Sequence, residues 1–345
     1  MIKKYSSIFV LFCLVAKTLF ADASNDTYWV SFVLGFHAPK YLLKIDALGE
    51  ILTDPVRLSD LNTGTFNNTG TNLPDATALS GRSKDQLNIW LYTRDQKIAR
   101  AVVNKKSSEV SKIQQTEILS SDSVHLQVAS RIDFHFIVYS VDSGGTEYLV
   151  GREMTPAGLP LNNVWKLSSQ PTGGAFCDLW DCGGGISSDG RMAFFAERNT
   201  SKNNLFVQPL GKLGRPSGKT VLIESMLKSS RHLYSVDVSN TIENSWRALV
   251  YTVDPGTFTD GHFQIFLQKI DARTGQKQGE RILISRTKDT LGQDVAIDPQ
   301  GRFIIYSNEA LLFQALDATG HASGKPKILY NKKSVAGGID IFKDE

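Results

Sequence analysis

The sequence predicts an all-β fold, a six-bladed β-propeller of four-stranded antiparallel blades whose ring is closed by a C-terminal strand joining the N-terminal blade. Three observations predict it. Residues 186–221 and 297–328 write out the same order of features twice: an apolar strand, a tight turn on Asp and Gly, a second apolar strand, a polar gap, a third strand carrying Gln, a Gly-rich hairpin and a fourth strand. Self-similarity of this kind marks a repeat architecture, and four short strands per repeat make a propeller blade. The second strands can be counted along the chain: YWVSFVL (28–34), LNIWLYT (87–93), FHFIVYS (134–140), MAFFAE (192–197), RALVYTV (247–253) and RFIIYS (302–307) give six. Finally, the first repeat has no innermost strand ahead of Tyr28, while GGIDIF (337–342) reads as a first strand that no second strand follows. Pairing the two ends removes the open edge that a row of blades would otherwise expose.

The remaining strands fall into register around these runs. Third strands are YLLKIDA, IARAVVN, EYLVGRE, NLFVQPL, FQIFLQKI and ALLFQAL, and fourth strands include VRLS, TEILS, WKLSS, TVLIE, RILIS and KILYN. Their β-branched and aromatic content, bounded by Gly, Asp, Asn and Pro, is strand chemistry. The links between third and fourth strands, such as GKLGRPSGK and DARTGQKQG, carry the Gly that tight hairpins use for positive φ. Innermost strands converge on the axis and need small or branched residues. Ala76 and Ala78, Val128 and Ala129, Gly184 and Gly185, Val236 and Val238, and Val295 and Ile297 meet that need.

A chain of 345 residues with 41% hydrophobic content can bury one large closed core. Residues 1–23 have the layout of a secretory signal: Lys3 and Lys4, the apolar run IFVLFCLVA, then Ala21 and Ala23. Nine apolar residues are too few to span a bilayer about 30 Å thick, so cleavage after Ala23, export to the periplasm or beyond, and a propeller over 24–345 are expected. The basic excess of three residues (38 Lys plus Arg against 35 Asp plus Glu) lies mostly in that leader, which speaks against a nucleic-acid surface.

The phrases ISSDGR and IDPQGR, each followed by an aromatic-rich strand and then a third strand that carries Phe and ends in Q-x-L (LFVQPL and LLFQAL), resemble the repeats of TolB-like propellers, a branch of the WD-repeat-like group. Repeats one to three lack the Asp-Gly turn, and SNTIENS (239–245) replaces it in repeat five. The resemblance implies an exported six-bladed propeller, often a scaffold for partners.

In a blade, the links from second to third strand and the links to the next blade lie on one face of the ring. The longest irregular stretches, 60–75, 169–183 and 254–262, all fall there. The second carries Phe176, Asp178, Trp180 and Asp181, and the third carries Asp254, Phe258, Asp260 and His262. Aromatic anchors beside acidic groups suit a protein or peptide partner or a small polar ligand. Packing of Trp180 into the channel mouth is the plainer alternative. Cys177 and Cys182, in an oxidising compartment, most simply close a disulfide worth about 2 kcal/mol. The six histidines show no close pair at metal-ligand spacing.

No G-x-S-x-G elbow occurs. Asp237 and Asp340, on innermost strands, could meet near the axis as acid and base or around a cation, with His262 at the mouth, but solvent-facing polarity in a wet channel also explains them. The sequence therefore favours a monomeric, non-catalytic binding scaffold without cofactor or metal. The alternative is an enzyme or small-ligand receptor at the channel mouth.

Overall fold

The computed structural model describes residues 25–34, 40–58, 77–92, 97–111, 114–119, 127–131, 134–142, 146–155, 159–168, 173–174, 184–198, 202–211, 214–227, 232–243, 245–254, 263–286, 294–331 and 335–344. Blade one begins with β1 (Thr27–Leu34), β2 (Lys40–Asp46) and β3 (Val56–Arg57). Blade two is β4 (Thr77–Ser83), β5 (Gln86–Tyr92), β6 (Lys97–Asn104) and β7 (Gln114–Leu119). Blade three is β8 (Gln127–Arg131), β9 (Phe134–Asp142), β10 (Thr146–Met154) and β11 (Pro160–Lys166). An added pair, β12 (Gly173–Gly174), lies against Thr146 and Glu147 of β10, so part of the connection expected to be irregular extends the sheet instead. Blade four is β13 (Gly184–Ile186), β14 (Met192–Arg198), β15 (Lys202–Pro209) and β16 (Val221–Leu227). Blade five is β17 (His232–Val238), β18 (Trp246–Asp254), β19 (Gln264–Asp271) and β20 (Ile282–Arg286). Blade six is β21 (Val295–Ile297), β22 (Phe303–Ser307), β23 (Leu311–Leu316) and β24 (Ala322–Tyr330).

The last strand, β25 (Val335–Asp344), returns to blade one, where the strand order is β25-β1-β2-β3. Ser31 stands opposite Asp340, Val30 opposite Ile341 and Trp29 opposite Phe342. The expected closure is thus the observed one. Asp344 at the end of β25 takes Lys44 of β2 and Lys105 of blade two at 2.6 Å each, tying the closing strand to both neighbours. Among the described residues no helix is long and apolar enough to cross a membrane.

The core lies between blades rather than inside them. Alternation along a strand sends successive side chains to opposite neighbours. On β22, Phe303 and Ile305 pack with Tyr28, Val30 and Phe32 of blade one, whereas Ile304 and Tyr306 pack with Val250 and Leu267 of blade five. Close packing at the axis explains the short, bare β13. A Cβ on Gly184 would come within 2.8 Å of Leu149 Cδ1 of blade three.

The repeated words of the sequence are structural clips. In blades four, five and six the third-strand Gln is buried and its Nε2 donates across the following hairpin. Gln208 reaches Pro209 and Ser217 carbonyls, Gln268 reaches Lys269 and Gly279, and Gln314 reaches Ala315 and Ser323, at 2.9–3.3 Å. The turn that opens the hairpin is capped by Asp46, Asn104, Asp271 or Asp317, whose Oδ1 accepts backbone amides two to four residues on. The Asp-Gly turn needs its glycine: Gly301 has φ +71°, and a Cβ there would meet Ile242 Cδ1 of blade five at 2.3 Å.

Replacing Gln268 by Leu removes the donor that ties the Lys269 and Gly279 carbonyls together, and is expected to lower stability by about 1 kcal/mol in urea unfolding. An unchanged midpoint would remove the clip from the account.

Candidate functional site

The candidate binding loops lie largely outside the described residues. Phe176, Asp178, Trp180 and Asp181, the pair Cys177 and Cys182, and Phe258, Asp260 and His262 all fall there. Asp254 is the last residue of β18, where its backbone pairs with His232. The connections that carry these residues follow β11 and β18, and with the link from β3 to β4 they leave the ring on the side from which the innermost strands enter the channel.

Within the channel the structure is explicit. The innermost strands β25, β4, β8, β13, β17 and β21 neighbour one another in ring order. Asp237 and Asp340 hold equivalent positions on blades five and one, and each carboxylate bridges two inner strands. Asp237 Oδ1 accepts the Val238 amide at 2.7 Å, and Oδ2 accepts the Ile297 amide of blade six at 2.9 Å. Asp340 Oδ1 accepts the Ile341 amide at 2.9 Å, and Oδ2 accepts the Leu79 amide of blade two at 2.6 Å. Asp294, at the entrance to β21, repeats the motif: Oδ1 accepts the Val295 amide at 3.0 Å and Oδ2 accepts the Ile339 amide of blade one at 2.7 Å. The Ser235 hydroxyl of β17 donates to Asp294 Oδ1 as well. Three carboxylates therefore lace the inner strands of blades five, six, one and two, always from one residue to its own next amide and to the matching amide of the following blade.

This lacing has a physical cause. An innermost strand is an edge strand, and its inward amides would otherwise face the channel unpaired. An Asp side chain is short enough to reach its own i+1 amide and still present a second oxygen across the gap between blades. The acids are partly accessible to the channel yet hemmed by protein. Burial pushes Asp237 well above the usual carboxylate range against the pull of the Ile297 amide, and the charges of Asp340 and Asp294 push the same way. Burial likewise raises Asp340 to about 6, with the Leu79 and Ile341 amides pulling down and Asp294 pushing up.

Sequence reasoning singled out Asp237 and Asp340 but passed over Asp294 and Ser235. The signal was present: each bridging Asp precedes a β-branched residue on an inner strand, as Asp237-Val238, Asp294-Val295 and Asp340-Ile341. Asp294 stands one residue before its strand and so reads as the end of a connection.

A second polar network stitches the opposite face. Arg247 of β18 is 1% exposed and pairs in two-pronged fashion with Asp189 in the turn of blade four, at 2.8 and 3.1 Å, while also donating to the Ser239 carbonyl. Burial would raise the Asp189 carboxyl, but the Arg247 bonds and charge, with the Ser187 hydroxyl and Arg191 amide, hold it below the usual range. The SSDG sequence is thus a turn, closed by the Gly190 amide on the Ser187 carbonyl at 2.7 Å, whose Asp is spent on the next blade. In blade six, Asp298 replaces Ser187 of blade four. It accepts the Arg302 amide and Nε at 3.1 Å, and Arg302 Nη1 reaches Asp26 of blade one at 3.0 Å. Burial lifts Asp298 to about 7 against two backbone amides and Lys343.

Among the described residues no group of three or more His, Cys, Asp or Glu side chains is arranged to hold a metal ion. No family model matches the sequence, and no curated protein sequence matches it. Solved structures match the fold over most of the chain. TolB from Acinetobacter baumannii aligns with a TM-score of 0.53 at 9% identity, covering 92% of this chain and 67% of that one. The periplasmic gluconolactonase PpgL of Pseudomonas aeruginosa aligns at 0.52 and 10% identity, covering 92% and 99%. An arginine-to-alanine triple mutant of AofleA from Arthrobotrys oligospora aligns at 0.51 and 9% identity, covering 92% and 89%. Likeness at this identity shows the propeller fold and leaves function to the site itself.

Replacing Arg247 by Met strands the Asp189 carboxylate between blades. The expected cost is about 3 kcal/mol, the low end for a broken buried pair because Asp189 remains partly exposed. Calorimetry that found the variant as stable as the parent would contradict an inter-blade role for this pair.

Proposed function

We propose that the chain is an exported, non-catalytic propeller scaffold that takes a protein or peptide segment on the face bearing the connections 60–75, 169–183 and 254–262. The observation that carries this reading is the use already made of the inner-strand acids. Asp237, Asp294 and Asp340 each accept two strand amides, so their oxygens serve ring assembly, and the described Asp-Gly turns on the other face are committed to neighbouring blades. The long connections, with Phe176, Trp180 and Phe258 beside Asp178, Asp181, Asp254, Asp260 and His262, are then the surface free to vary. Aromatic side chains on loops held by a rigid scaffold are the common anchors of binding surfaces. A monomer with the disulfide Cys177–Cys182 bracing the second loop completes the proposal. Export is supported by the leader at 1–23 and is in keeping with a periplasmic protein of the same fold.

A second reading places a small-molecule or enzymatic site at the channel mouth. One observation favours it: burial raises the Asp340 carboxyl to about 6, within the range where acid and base catalysis operates, and raises Asp237 in the same direction. The two readings separate by variant.

The test is affinity capture from envelope and secreted fractions of the source cells with residues 24–345, read by mass spectrometry and followed by titration of the recovered partner. Trp180→Ala with Phe258→Ala is expected to weaken that partner's binding by about tenfold or more, the scale of a lost anchor. Undiminished binding by this doubly substituted protein would reject the face. A small-molecule turnover abolished by Asp237→Asn and spared by the loop substitutions would establish the second reading instead.

A further inference from the structure

The inner-strand lacing is uneven around the ring. Asp237 joins blade five to six, Asp294 joins six to one and Asp340 joins one to two. At the positions matching Asp237, blade two has Ala78, blade four has Gly185 and blade six has Ala296, none of which can bridge. The three acids are neighbours, with Asp294 set two residues before the position that Asp237 and Asp340 share. Ser235, two residues before Asp237, donates to Asp294, and Asp294 in turn holds the amide of Ile339, the residue before Asp340.

We propose that Asp237 and Asp340, set beside Asp294, form a proton-controlled clasp on the channel wall, which holds the inner strands of blades five, six, one and two together while Asp237 and Asp340 keep their protons and loosens that arc when they ionise. What changes is the repulsion among three anions on adjacent strands in a low-dielectric wall. Among the described side chains of the packed elements no cation is set against it; His232 of β17, Arg198 of β14 and Arg131 of β8 lie outside them. Arg247 of β18 is committed to Asp189, Lys343 of β25 to Asp26, and Asp344 of β25 to Lys44 and Lys105. Arg82 stands at the far end of β4, beyond Ser80, and is exposed. The described parts of β1, β13 and β22 carry no charged side chain. Burial is the first cause of the raised Asp237 and Asp340 carboxyls, and neighbouring charge adds to it, from Asp340 and Asp294 at Asp237 and from Asp294 at Asp340.

The sign follows from linkage. A carboxyl raised in the folded state binds its proton more tightly there than in the unfolded chain, so its stabilising contribution is whole below about pH 4 and is lost as pH rises through the folded value. For Asp340, moving from 3.8 to about 6 corresponds to about a hundredfold in the unfolding equilibrium constant, with Asp237 adding to it. Asp298, raised to about 7 on the opposite face, acts in the same direction and must be removed from the comparison. Asp298→Ser does so with the residue that blade four uses at that position, Ser187.

The experiment is urea unfolding of the Asp298→Ser protein between pH 4.5 and 8, with and without Asp237→Asn plus Asp340→Asn. The unfolding constant of the Asp298→Ser parent is expected to rise by about a hundredfold across that range, and the added pair of substitutions to flatten the rise to tenfold or less. Because Asn offers only one oxygen acceptor where Asp offers two, hydrogen exchange on the unsubstituted protein gives a reading independent of how the substituted pair folds. Corrected for intrinsic rates, protection of the Leu79, Ile297 and Ile339 amides should fall at least tenfold from pH 5 to pH 8. The Leu210 and Leu316 amides, which donate to Arg191 and Arg302 carbonyls away from the channel, should lose less. Protection that holds at the three amides, or falls no more than at Leu210 and Leu316, overturns the clasp, as does an unchanged pH slope in a folded Asp237→Asn, Asp340→Asn protein.

Discussion

The antiparallel pairing of β25 with β1 is the contact on which the rest of this ring depends. A propeller blade buries its faces only against its neighbours, so an open row of blades would leave two apolar faces and two strand edges exposed. Pairing 335–344 with 27–34 converts both ends of the row into one more interface. Tyr28, Val30 and Phe32 can then bury against Phe303, Ile305 and Phe313, with Ile339 and Ile341 of the closing strand beside them. Because strand alternation gives each blade one face for each neighbour, an error at the seam would propagate to both adjoining interfaces.

Closure also explains where the polar residues go. Inner strands need acceptors for their inward amides, and the Asp residues of blades five, six and one supply them across the gaps between blades. On the other face, Asp189 in the turn of blade four meets Arg247 of blade five, and Arg302 in the turn of blade six meets Asp26 of blade one, so these two junctions are tied by ion pairs. Acidic residues that a sequence-level search for chemistry would flag are here elements of assembly. This shifts the search for binding toward the long connections on the entry face.

The architecture was legible because its signals are repeated. Strand alternation, Gly-bearing hairpins and the Gln-bearing third strands recur, and the structure gives the last a reason: Gln208, Gln268 and Gln314 make the same bond to the same part of their hairpins. The missing first strand and the orphan GGIDIF could be matched because each lacked what the other had. The site was less legible. Asp237 and Asp340 were visible as acids on inner strands, but their second partners, Ile297 and Leu79, lie 60 and 261 residues away, and nothing local encodes such a bridge. Arg247 pairs with Asp189 at a separation of 58 residues for the same reason. Gly173 and Gly174 read as loop because a two-residue pair has no periodicity to detect.

The measurement that tests closure most directly is thermal and urea unfolding of a chain ending at residue 334, with the peptide 335–345 supplied in trans. The account predicts that the truncated chain loses cooperative unfolding and that the peptide restores it in a saturable, concentration-dependent way. A truncated chain that unfolds with the cooperativity and midpoint of the full one would contradict it.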